Sequence, residues 1–114
     1  MLEPGNVLLI SHRRFFQNEE PRYFLGKVVK YEAGIVKVSG YTFVRDISAG
    51  SFIRKDDVRV KLISLTSGSY IVYQLPDDSD CEQARFEMDN DILPLSDGKS
   101  LSMNMAEIVR AGHI

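Results

Sequence analysis

The chain has 114 residues, 44% of them hydrophobic, with a formal net charge of −2 and a single cysteine. This length suits one domain with its own core, and the composition excludes collagen-like, disulfide-stapled and disordered chains. The charge is uneven: residues 1–63 carry +4 and residues 64–114 carry −6. Two such halves sharing one small core are expected to compensate each other internally.

The segment Met1 to Gly5 has neither the basic nor the apolar region of a secretory signal. Together with the lone thiol of Cys81, this leads us to expect a cytoplasmic protein. The longest aliphatic run, Val7 to Ile10, opens the first predicted strand. It falls far short of the roughly 18 residues a membrane helix needs, so no membrane partner is expected.

Residues 11–22 form a long polar connection after that strand, and long loops on small β-scaffolds often carry function. Within it, Ser11-His12-Arg13-Arg14-Phe15-Phe16 is the densest chemical cluster in the chain. Guanidinium groups beside aromatics suit phosphate or carboxylate recognition. Ser11 and His12 are adjacent, so on an extended chain their side chains diverge and do not form a nucleophile–base pair. Pro21 disfavours helix in the residue before it and supports a loop there.

The stretch from Tyr23 to Phe43 reads as a long hairpin. A three-residue loop, Glu32-Ala33-Gly34, sets Tyr31 opposite Ile35, Val29 opposite Lys37, Val28 opposite Val38 and Gly26 opposite Gly40. A two-residue Ala33-Gly34 loop instead opposes Lys30 and Lys37, and facing like charges are destabilising. In the three-residue register Lys27 and Lys37 share one face and Lys30 lies on the other. Paired glycines leave a gap in the side-chain layer where the hairpin can bend. With its glycine and valine placement, Gly26 to Gly40 resembles the bent central hairpin of SH3-like or Sm-like barrels. That resemblance implies a fold and no particular activity.

Further along, Val58, Val60 and Leu62 alternate with Arg59 and Lys61, as Phe86 with Met88 and Leu101 with Met103 and Met105 alternate with polar residues. This period of two marks strands with one buried face. Ser48-Ala49-Gly50, Thr66-Ser67-Gly68 and Ser96-Asp97-Gly98 repeat the small-or-polar pair before glycine that ends a hairpin loop. Ser79 with Glu82 and Asn104 with Glu107 have capping-box spacing, the second opening a helix from Met105 to Ala111.

The acidic runs Asp77-Asp78-Ser79-Asp80 and Asp89-Asn90-Asp91 lack the glycine and closing glutamate of a calcium loop. His12, His113 and Cys81 lack zinc spacing. Neither a phosphate-cradling loop nor a dinucleotide fingerprint occurs, so no metal or cofactor is expected.

The expected fold is all-β over residues 1–114. It is an antiparallel meander of about seven or eight strands curled into a small SH3-like barrel or roll, with a short C-terminal helix. The expected function is a non-catalytic binding or assembly module, contacting a protein partner or a second copy of itself as a homo-oligomer. The alternative is nucleic-acid or nucleotide binding through the basic half. Candidate binding residues are His12, Arg13, Arg14, Phe15, Arg22, Lys27, Lys37 and Tyr41.

Overall fold

A computed structural model describes residues 2–12, 22–46, 51–86, 94–98 and 101–104. These form nine strands and no helix among the described residues. β1 (Val7–His12), β2 (Arg22–Glu32), β3 (Ile35–Asp46) and β4 (Ser51–Arg54) run as an antiparallel meander. β5 (Arg59–Ser64) returns to pair with the first half of β3, and β6 (Tyr70–Leu75) crosses to the far edge beside β1. β7 (Arg85–Phe86), β8 (Pro94–Ser96) and β9 (Ser102–Asn104) make a second, three-stranded sheet.

The run Val7-Leu8-Leu9-Ile10 is apolar at every position because β1 is buried on both faces. Val7 and Leu9 join Tyr23 and Leu25 of β2, Phe43, Phe52, Phe86, Leu95 and Leu101 in one core under the second sheet. Leu8 and Ile10 join Phe24, Val28, Val36, Val38 and Ile63 in another, inside the curl of the first sheet. Adjacent residues on a strand point to opposite faces, so the two cores draw on alternate positions of the same strands. Each fully buried aliphatic or aromatic side chain contributes roughly 1.5–3 kcal/mol before conformational entropy is counted.

The long hairpin corrects the sequence register near its tip. Ala33 and Gly34 both have positive φ, 50° and 80°, which makes a two-residue turn with Glu32 opposite Ile35 and Lys30 opposite Lys37. The pairing then slips at Val29 and resumes with Val28 opposite Val38 and Gly26 opposite Gly40, as expected. The bulge reconciles two demands: it turns both Val28 and Tyr31 towards the inner core while Val29 and Lys30 face solvent. The opposed lysines are exposed, where water screens them, and Glu32 stands 3.8 Å from Lys30. As a result Lys27, Lys30 and Lys37 share one face, and Lys30 is not on the opposite side.

A second correction concerns β5. Its register with β3 sets Ile63 opposite Val36 and Lys61 opposite Val38, both inward-facing positions. Lys61 and Ile63 therefore point inward, and Val58, Val60 and Leu62 point to solvent at 58%, 58% and 71% exposure. Lys61 fits the inward side by laying its ammonium 4.7 Å from the centre of the Phe24 ring.

The sheet does not close into a barrel. Thr66-Ser67-Gly68 joins β5 and β6, which lie at opposite ends of the strand order and do not pair. Burial first, then repulsion from Arg22 and Arg59, holds the Lys61 pKa below its usual value. Ile63 on β5 and Tyr70 and Val72 on β6 still pack against the same inner core, so the two edges share apolar contact without pairing. The loop at residues 48–50 and the expected helix from Met105 to Ala111 lie outside the described residues.

The paired glycines are a steric requirement. A Cβ on Gly26 would stand 2.6 Å from the Ser39 carbonyl oxygen, and one on Gly40 would collide with the Leu25 carbonyl and the Gly26 Cα. These obstacles are backbone and cannot swing aside. Gly40→Ala should cost about 3 kcal/mol or more of stability, read as a lower urea midpoint. An unchanged midpoint would show that the strands need not approach so closely.

Candidate protein-binding face

The second sheet covers only part of the outer face of the first. It lies over the sector containing Val7, Leu9, Tyr23, Leu25 and Phe43 and leaves the hairpin end of β2, β3 and β5 bare. On this bare area Val58, Val60 and Leu62 form a row, with Ile35 and Val29 beside them at 49% and 47% exposure. Edge strands are normally blunted by charge or covered, so an aliphatic row on β5, whose other side has no strand partner among the described residues, is unusual.

The acidic segment Asp77 to Glu82 stands at one end of this area. Between it and the sheet lies an open cleft of about 590 Å³, lined by Lys27, Val29, Tyr41, Val58 and the acidic segment. The segment is held in place at several points. Asn6 donates a hydrogen bond from Nδ2 to the Asp77 carboxylate at 3.2 Å. The Asp97 carboxylate accepts from the Asp80 amide at 2.7 Å and from the Leu101 amide at 3.0 Å, tying the wall to the β8–β9 hairpin. Asp80, and not Ser79, caps the single turn that follows, its carboxylate accepting from the amides of Glu82 and Gln83. Ser79 is buried instead, and its hydroxyl has no hydrogen-bond partner among the described residues.

At the opposite end a smaller hollow of about 330 Å³ is bordered by Lys30, Glu32, Ile35, Lys37 and Leu62. The bare face is thus apolar along its middle, acidic at one end and basic at the other.

The expected site residues are dispersed. Lys27 and Tyr41 come together in the cleft. Tyr41 already carries the Arg54 guanidinium 4.4 Å from its ring centre, while Arg54 Nη1 donates to the Glu82 carbonyl at 2.6 Å. Lys37 lies at the hairpin end, and Arg22 starts β2 at its other end. His12 ends β1 with its ring 4.6 Å from Tyr70, and the Ser11 hydroxyl donates to the His12 carbonyl and not to the imidazole. Arg13, Arg14 and Phe15 lie outside the described residues. Sequence reasoning missed Val58, Val60 and Leu62 as surface residues; their alternation was visible, but alternation does not say which face is inward.

Compared with known protein families, curated proteins and solved structures, the chain matches none.

Cys81 belongs to the core under the second sheet. Burial raises its pKa above the usual thiol value, with Asp80 and Asp97 adding to the rise and Lys27 opposing it. A raised folded-state pKa means that the thiol's contribution to stability is complete below the unfolded value of about 8.5. It is lost as pH climbs through the folded value. At pH 8 the folded chain should react with iodoacetamide about tenfold more slowly than the urea-unfolded chain. Equal rates would place the thiol in contact with solvent.

Proposed function

We propose that the protein is a non-catalytic binding and assembly module that holds a polypeptide against the bare outer face of β2, β3 and β5. The observation that carries this reading is the contiguous row Val58, Val60 and Leu62, turned to solvent while charged Lys61 occupies the inward side. Single exposed aliphatic residues are ordinary, but a continuous row on an uncovered sheet edge is typical of an interface. Ile35 and Val29 widen it, and the charged groups at its two ends supply the polar rim that interfaces generally have.

Nucleic-acid binding is the second reading, favoured by Lys27, Lys30 and Lys37 lying on one face. Against it, Lys27 borders the acidic segment, Glu32 neighbours Lys30, and an aliphatic row flanks Lys37 on β5. A phosphate backbone rewards cations and gains little from such a row.

A photo-activated cross-linking residue placed at position 62 in cells producing the protein separates the two readings. The expected product is a discrete adduct with a polypeptide, lost when Val60→Asp is added. Adducts with nucleic acid alone, or no adduct, would overturn the docking reading.

A further inference from the structure

Resting on that reading, we infer that the polypeptide held against this face is a second copy of the same chain, related to the first by a two-fold axis.

The charge layout of the face selects this occupant. One end is walled by Asp77, Asp78, Asp80 and Glu82, with Lys27 and the Arg54 guanidinium beside them. The other carries Lys30 and Lys37, softened only by Glu32. On β3 the basic hollow takes Ile35 and Lys37 and the acidic cleft Ser39, Gly40 and Tyr41, roughly 20 Å from one outer limit to the other at about 3.3 Å per residue. A two-fold axis through the middle of the face, near Val60 and Ser39, reverses the second copy. Its basic end then meets the acidic end of the first, and the reciprocal contact forms at the other side. The aliphatic rows meet in the middle. A surface with opposite charges at its two ends and apolar side chains between them is complementary to itself, which is what an isologous interface requires.

Area points the same way. The five aliphatic residues expose on the order of 450 Å² together, about half of the roughly 800 Å² per partner in a stable interface. The remainder has to come from the flanking charged groups. A two-fold partner covers both ends at once, whereas an apolar peptide lying along β5 would leave them in water. The charges then fix orientation and the aliphatic row supplies most of the affinity.

The test uses the full chain and three exposed positions, Leu62, Lys37 and Asp78, whose substitution leaves both cores untouched. Light scattering and sedimentation at low salt should give a dimer for the natural chain. Leu62→Asp should give a monomer with an unchanged far-ultraviolet spectrum. Lys37→Glu and Asp78→Lys should each weaken the dimer about tenfold, because each sets like charges together at both reciprocal contacts. Mixing the two single variants should restore a dimer, since both contacts between them become attractive again. A natural chain that stays monomeric at roughly 100 μM, weaker than a typical specific interface, would overturn the inference. So would a mixture of variants that fails to recover. A monomeric chain that still cross-links from position 62 to a different polypeptide would overturn the dimer alone and leave the docking face standing.

Discussion

β1 and β2 carry apolar side chains on both faces, and the rest of the molecule is arranged to cover them. Val7 and Leu9 need a layer on one side, Leu8 and Ile10 on the other. The curl of the first sheet covers the inner set. The short strands β7 to β9, with the turn around Cys81 and Ala84, cover the outer set. That second layer is small and ends where the acidic segment crosses the sheet. Among the described residues that layer covers one sector of the outer face, and Val29, Ile35, Val60 and Leu62 at the hairpin end are exposed.

The bend at Gly26 and Gly40 connects these two requirements. The hairpin must continue past the covered sector and still curl over Leu8, Phe24 and Val38. Its backbones approach too closely there for any Cβ, and Phe24 comes within 3.0 Å of where one would stand on Gly26. Beyond the bend, the bulge at Val29 turns Tyr31 back towards the inner core and brings Lys30 onto the same face as Lys27 and Lys37. Charge that looked divided between two faces is collected on one, next to an aliphatic row that looked like core.

Much of the architecture was legible in the chain. The all-β class, the strand at Val7, the long hairpin and the Gly26–Gly40 pairing all follow from local chemistry. The turn at Ala33 was misassigned because opposed lysines were weighed as though unscreened, whereas both are exposed. The face of β5 was misassigned because Val58, Val60 and Leu62 put three aliphatic residues on one parity against Ile63 alone on the other, so the alternation pointed the wrong parity inward. Of the candidate residues chosen for their chemistry, Lys27, Lys37 and Tyr41 lie on one face, while His12 and Arg22 stand at the far ends of β1 and β2.

Alternation, glycine placement and apolar content are properties of single segments, and these alone determined the strands and the bend. Which side of a strand is buried depends on the strand it pairs with and on what covers the pair. β5 points Ile63 inward because Val36 faces inward opposite it, and Val36 does so because β2 and β3 curl over Leu8 and Ile10. That decision passes through three strands distant in sequence. Tertiary structure alone could therefore turn Val58, Val60 and Leu62 outward and make them the candidate binding face.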